Sequence, residues 1–386
     1  MTIKLPPLPQ PFSFAVHPSY CPGNPSPFLD LDIYDHSPFE RVTRDYADRF
    51  ELYQDEIQRQ RLANIHCSWL GAMMYPTGTE ELLQVGVDFC MWAFAYDDEY
   101  CDEGPIARDP NKLIQASVEI WRQFESPEYQ LTNDRYALAA RDLRIRLDKY
   151  AKPEQTGRFV EAMRIYLMAE MWKATNATPT VSDCVFMRAT GGGAWAFPAL
   201  GHAIADIDIT QREYEDRRVR ALFEMLSSLM AWETEPHAFS KEMERGANYK
   251  EHNLIRVMMR ENQCSFDSAV EDYLEMRLRL LSLFLRLKAE VDSYASEGVK
   301  AYIESVIRYY VGATVWSQNT RRYKSLSGNI DDHIFVGGQL TAPQPPEVFS
   351  NTKPIDIDGV RWWWEYDPLN KQASDGATLK YRPASV

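Results

Sequence analysis

From about residue 41 to residue 323 prolines are sparse and apolar residues recur three and four positions apart. That period builds amphipathic helices and leaves no room for a sheet of alternating strands. One predicted helix opens with a capping-box signal, Ser268 and Glu271, and carries Val270, Tyr273, Leu274, Leu278, Leu281 and Leu285 on one face. A second runs along Val299, Ile303, Val306, Ala313, Trp316, Thr320 and Tyr323. The flanks differ. Pro6, Pro7, Pro9, Pro11, Pro18, Pro22, Pro25 and Pro27 forbid long helices near the start. Beyond Lys324, Gly, Pro, Asn and Asp are frequent, and residues 355–362 read as a hairpin turning at Asp358-Gly359. With no internal repeat, the expected fold class is all-α. It comprises a proline-rich arm over 1–40, one helical domain over 41–325 and an irregular extension over 326–386.

Charge narrows the function. The chain of 386 residues has 42 Lys and Arg against 56 Asp and Glu, a formal net charge of −14. So acidic a protein is a poor general ligand for nucleic acid or anionic lipid, and any phosphate it binds needs a local basic cluster or a cation. No apolar run has the length of a signal peptide or a membrane anchor, so a cytoplasmic protein is expected. The six cysteines have no metal-finger spacing and read as reduced, buried thiols.

The first chemical signal is an acidic run behind an apolar, aromatic helix: Asp97, Asp98, Glu99, Asp102 and Glu103 follow Trp92-Ala-Phe94-Ala-Tyr96. On an α-helix Asp98 and Asp102 are four apart and share a face, with Asp97 at its flank. A hard divalent cation such as Mg²⁺ would relieve their repulsion; a solvated acidic helix end is the plainer alternative. Three further segments suit an anion. Arg188 precedes Gly191-Gly192-Gly193, a helix break that frees backbone groups. Thr234, Ala238 and Glu242 lie at i, i+4 and i+8, with Lys241 beside Glu242. Arg322-Tyr323 ends the helical region six residues after Trp316. Each alone also reads as an ordinary turn or surface helix end.

Together these segments resemble the class I terpene cyclases, and among them the fungal and bacterial sesquiterpene cyclases. Ser68-Trp-Leu-Gly-Ala-Met-Met-Tyr-Pro looks like the helix before the family's aspartate motif, and Trp92 to Asp98 like the approach to it. Arg188 looks like the diphosphate-sensing arginine, with Gly191 and Gly192 at the helix break. Lys241-Glu242 followed by Asn253-Leu-Ile looks like the second half of the second metal motif and its sequel. Trp316 and the Arg322-Tyr323 pair look like the family's terminal elements. The forty-six residues from Arg188 to Thr234 match the family's interval.

The resemblance implies a Mg²⁺-dependent lyase, with three ions, that ionises farnesyl diphosphate, releases diphosphate and cyclises the cation. Arg188, Lys241, Arg322 and Tyr323 would hold the diphosphate; Asp97, Asp98, Asp102, Thr234 and Glu242 would hold metal. Phe94, Trp195, Trp232 and Trp316 would line the hydrocarbon cavity with Gly191 and Gly192, and Trp69, Phe89 and Trp92 are further candidates. Two departures stand out: Cys101 occupies the usual place of the third acid, and Ala238 cannot ligate, leaving Thr234 and Glu242 with water and diphosphate oxygens, or neighbours such as Glu235 or Ser240, to hold the second metal cluster. The overall pattern resembles humulene-forming fungal cyclases, implying 1,11 ring closure. A chain-elongating prenyl diphosphate synthase, with Asp331-Asp332-His333 as a poor second acidic motif, and a non-catalytic isoprenoid-binding protein remain alternatives. Trp362-Trp363-Trp364 should pack on the body or on a partner copy in a homodimer.

Overall fold

The computed structural model describes residues 37–245, 252–323 and 352–372. The N-terminal arm and Asp331-Asp332-His333 lie outside these residues, as does the side chain of Ser240. Among the described residues every regular element is helical. In chain order they are α1 (Pro38–Arg49), α2 (Glu56–Ala63), α3 (Cys67–Met74), α4 (Glu80–Tyr96), α5 (Pro110–Glu125), α6 (Arg135–Tyr150) and α7 (Pro153–Thr175). Then follow α8 (Val181–Arg188), α9 (Ala196–Ile204), α10 (Gln211–Tyr214), α11 (Arg217–Arg245), α12 (Leu254–Glu261), α13 (Phe266–Asp292) and α14 (Glu297–Asn319). None of them is long and apolar enough to cross a membrane.

Helix boundaries follow local chemistry. Pro38, Pro110 and Pro153 occupy first turns, where the missing N–H costs nothing. Thr79, Asp109, Asp134, Thr180 and Ser296 cap the helices that follow them with side-chain acceptors. The cap of α13 is Ser265, whose hydroxyl accepts from the Ser268 N–H at 3.2 Å; the expected Ser268–Glu271 box lies one turn too late. Apolar nearly all round, α4 runs through the centre, against α1, α3, α6 and α9. Helix α14 packs on α11, α3 and α9, and α11 also on α13. A cleft opens between α3, α4, α7, α9, α11 and α14.

The C-terminal segment departs from expectation. Residues 355–362 form no hairpin: Asp358–Arg361 is a helical turn (α15) continuing into a 3₁₀ stretch, Trp362–Tyr366, before a last turn, α16 (Pro368–Gln372). Helical winding places Val360, Trp363 and Trp364 three and four apart, and all three are buried. The Trp363 indole donates to Glu224 at 3.2 Å, and Arg286 grips Asp367 through two bonds of 3.0 and 2.6 Å. The tryptophans therefore pack on the body, and none of them lines the cleft.

Candidate active site

The cleft encloses about 860 Å³, open solvent at its mouth included. One end is charged, with Asp97, Asp102, Lys173, Arg188, Lys241, Glu242 and Arg322, and carries the Tyr323 phenol. The remainder is chiefly apolar, with Leu70, Met74, Phe94, Phe197, Met230, Ala313 and Trp316.

The acidic segment does not continue α4 as an α-helix. Asp97–Glu103 is a π-helix, whose bonds run from residue i to i+5. That wider turn brings Asp97 and Asp102, five apart, to the cleft wall. Asp98, expected to pair with Asp102 at α spacing, instead turns into the protein. Arg322 donates to it through both Nη atoms at 2.7 Å, and Lys241 donates to it at 2.7 Å. Asp98 is thus a buried clamp between the two cations expected to meet diphosphate. Carboxylate oxygens of Asp97, Asp98 and Asp102 still lie within 4.8 Å of one another, so this oxygen-only set suits a hard divalent cation. Cys101 offers a soft sulfur donor in the missing acid's place, a poor match for such a hard ion.

The three acids differ in environment. Burial and then the neighbouring Asp102 charge push Asp97 up to about 7, against the pull of Lys173 and Lys241. Burial would raise Asp98 too, but Arg322 and Lys241 outweigh it and hold it below the ordinary carboxylate range. Asp102 is likewise held low, burial being overcome by Lys173 and Lys241. Asp97 is therefore the carboxylate with most to gain from a bound cation.

The opposite wall comes from α11. Cleft-facing residues recur at Met230, Ala231, Thr234, Ala238, Lys241 and Glu242, one helical stripe. Thr234 donates its hydroxyl to the Ala231 carbonyl at 2.7 Å, leaving lone pairs to accept or ligate. Glu242 accepts from Asn253 at 2.9 Å, a side chain that also donates to the Glu235 carbonyl at 2.8 Å. Glu235 does not line the cleft; it is fully buried, 2.5 Å from Arg188, and accepts from the Leu254 N–H. It positions Arg188 and offers no ligand to the cleft.

Between α8 and α9 the chain breaks where the glycines predicted. Gly192 and Gly193 have φ of +59° and +72°, and a Cβ on Gly193 would meet the Phe197 ring at 2.8 Å. The break brings Gly192 to the cleft beside Arg188, but Gly191, in the turn after α8, donates to the Met187 carbonyl and does not reach it. Next to the charged end Trp316 lies tilted against Phe94 (5.0 Å between centroids) and meets Tyr323 edge-on (5.6 Å), while the Arg322 guanidinium covers Phe94 at 4.7 Å. Helix α14 stops at Asn319, so Arg322-Tyr323 sits on a separate 3₁₀ turn that aims both residues back at the acids.

Several expected cavity residues lie elsewhere. Trp232 is fully buried but falls off the cleft stripe of α11. Trp195, just past the glycine turn, faces a separate groove under Arg220, 4.4 Å away, and Phe197 takes the inward position. Trp69, Phe89 and Trp92 are core residues. Lys173, Tyr166, Phe197 and Tyr309 line the cleft without having been expected. Nothing in sequence separates Lys173 from a surface lysine on an amphipathic helix.

Residues 88–282, just over half of the chain, match the profile of terpene synthase family 2, C-terminal metal binding. A (+)-(1(10)E,4E,6S,7R)-germacradien-6-ol synthase of Streptomyces pratensis is 32% identical over 83% of this chain and 89% of its own length. A (+)-T-muurolol synthase of Roseiflexus castenholzii, described as cyclising (2E,6E)-farnesyl diphosphate, is 28% identical over 74% of this chain and 88% of its own. Among solved structures, a variant of a protein from ancestral sequence reconstruction superposes with a TM-score of 0.75 at 24% identity, covering 94% and 98% of the two chains. The linalool/nerolidol synthase of Streptomyces clavuligerus, crystallised with 2-fluorogeranyl diphosphate, gives 0.63 at 19% identity over 80% and 100%. Both structures share the all-α fold. The named relatives are bacterial and carry products other than humulene, so the expected fungal, humulene-forming affinity finds no support in them. Its oxygen-lined metal set, its charged cleft end and this match place the chain in terpene synthase family 2, as a class I terpene synthase with a divalent-metal site.

Proposed function

We propose that the chain is a sesquiterpene cyclase acting on farnesyl diphosphate, with residues 41–325 as its catalytic domain. One observation carries the reading: a single cleft joins a cation-and-carboxylate end to an apolar, aromatic chamber. Asp97 and Asp102 on one wall, and Thr234 and Glu242 on the other, would hold Mg²⁺. Such ions, when bound, neutralise the leaving diphosphate by Lewis-acid polarisation.

The chain's own residues do the rest. Arg188, Lys241, Arg322 and the Tyr323 hydroxyl converge on the cleft end and meet the oxygens on which charge grows as the carbon–oxygen bond breaks. Arg188 is fixed for this by Glu235, and Arg322 and Lys241 by Asp98. Phe94, Phe197 and Trp316 exclude water and present ring faces to the carbocation, each contact worth roughly 0.5–2 kcal/mol. The farnesyl-cyclising relatives support a fifteen-carbon substrate. The 1,11 closure to humulene rests on sequence resemblance alone, and nothing in the lining of the chamber favours it.

Incubation with geranyl, farnesyl and geranylgeranyl diphosphates and Mg²⁺, with products analysed by gas chromatography and mass spectrometry, tests the reading. Cyclic fifteen-carbon products from farnesyl diphosphate are expected. Turnover only when isopentenyl diphosphate is added would point to chain elongation, and none with any of the three to a binding protein.

A further inference from the structure

We propose that Lys173 is a positioning residue that stands in for a metal ion. In the ligand-free protein its ammonium closes the carboxylate set of Asp97 and Asp102, and it yields that set when a divalent cation and diphosphate enter. The inference rests on the cyclase reading only for the diphosphate; the metal part stands on the geometry of the acids.

Lys173 lies in the last turn of α7, with a side chain only 10% exposed. Its Nζ is 3.0 Å from Asp102, 3.2 Å from Glu170 and 3.9 Å from Asp97. Three carboxylates thus share one ammonium, and burial, which would lower its pKa, is outweighed by Asp102, Glu170 and Asp97. Lys241 and Arg322 are already committed to Asp98, so among the described residues Lys173 is the cation that hydrogen-bonds Asp102.

A divalent cation joining Asp97 and Asp102 is repelled by an ammonium held on Asp102, so the ion binds more readily once that ammonium moves away. Its four-carbon stem allows that, and Glu170, one turn earlier on α7, keeps it from wandering into solvent. Glu170 is itself pinned, accepting the Gly192 N–H at 3.2 Å. Lys173 and Gly192 both line the cleft beside Arg188, so an ammonium released from Asp102 stays where diphosphate oxygens would arrive. The residue therefore opposes metal binding in the absence of diphosphate and favours the anion in its presence.

The test uses Mn²⁺ as a probe, its binding to the full-length protein followed by electron paramagnetic resonance, with and without inorganic diphosphate. Without diphosphate, Lys173→Met should bind Mn²⁺ at least tenfold more tightly than wild type. With diphosphate, the tightening seen in wild type should shrink at least tenfold in the variant. Lys173→Gln, polar but uncharged, should behave like Lys173→Met and decides the matter if the latter does not fold. Lys173→Arg, which keeps the charge, should remain near wild type. Unchanged or weaker Mn²⁺ binding by the uncharged variants without diphosphate overturns the inference. Tighter Mn²⁺ binding in a protein that turns over no allylic diphosphate would leave the inference standing and remove only the cyclase reading.

Discussion

Asp97 and Asp98 are adjacent acids with opposite roles, and replacing each by asparagine separates them. Asp98 is 2% exposed and holds three charge-assisted bonds of 2.7 Å, two from Arg322 and one from Lys241. Asp98→Asn leaves two buried cations without their counter-charge, a change that costs about 3–5 kcal/mol. Asp97 sits differently: 27% of its side chain is open to the cleft, Arg322 reaches it at only 3.4 Å, and its pKa is up to about 7. A folded-state pKa above the unfolded value means that ionisation opposes folding. The stability Asp97 contributes is present below about pH 4 and is lost as pH rises toward 7. A shift of about three units would be worth ~4 kcal/mol for a group wholly out of water; the open quarter of the side chain reduces this to about 1–2 kcal/mol. Asp97→Asn should therefore be as stable as wild type at pH 7 or slightly more so, and should flatten the decline in stability between pH 4 and 7. Urea unfolding of the three proteins at pH 4 and 7, read by circular dichroism, is the assay. Both variants should lose most of their turnover. If Asp98→Asn proves as stable as Asp97→Asn at pH 7, the buried-clamp reasoning is wrong.

Two further predictions concern the chamber and the core. Gly193→Ala must place a Cβ at a φ of +72° and within 2.8 Å of Phe197, so it should lower stability by about 1–3 kcal/mol and change the product mixture as Phe197 shifts. An unchanged product profile in chromatography would detach the glycine turn from chamber shape. His202, buried against Tyr302 with ring centroids 4.0 Å apart, has its pKa pushed down to about 3 by burial and then by Arg158. Its stability is present above about pH 6.5 and lost as pH falls toward 3, with a slope of up to ~1.4 kcal/mol per pH unit. His202→Gln should lose that component of acid sensitivity, and equal acid slopes for variant and wild type would show that His202 does not titrate on unfolding.

Much of this was legible in the sequence, for physical reasons that can be named. Apolar periodicity marked the long helices because each buries one stripe. Arg188, Thr234, Lys241, Glu242, Arg322 and Tyr323 line the cleft, and it was the family resemblance that singled them out, since each segment alone also reads as an ordinary turn or helix end. The π-helix was not: α spacing pairs Asp98 with Asp102, and only the wider turn pairs Asp97 with Asp102. The same limit applies to Trp195 and Trp232, whose identity suggested cavity walls but whose angular position on the helices turns them away. Lys173 gave no signal, because its role comes from acids seventy residues upstream. In the tail, Asp358-Gly359 looked like a hairpin turn, yet burial of Val360, Trp363 and Trp364 against one surface favours winding into a helix.

The central claim is that the charged end of the cleft ionises farnesyl diphosphate and that the apolar chamber shapes the cation. The most direct measurement follows diphosphate release and terpene product together from farnesyl diphosphate, with Mg²⁺ and with the ion removed by chelation, in wild type and Asp97→Asn. The account predicts equal molar release of diphosphate and cyclic product in wild type with Mg²⁺, and a loss of both by at least a hundredfold on chelation or in the variant. Sustained turnover by a folded Asp97→Asn protein, or Mg²⁺-independent release of diphosphate, would contradict it.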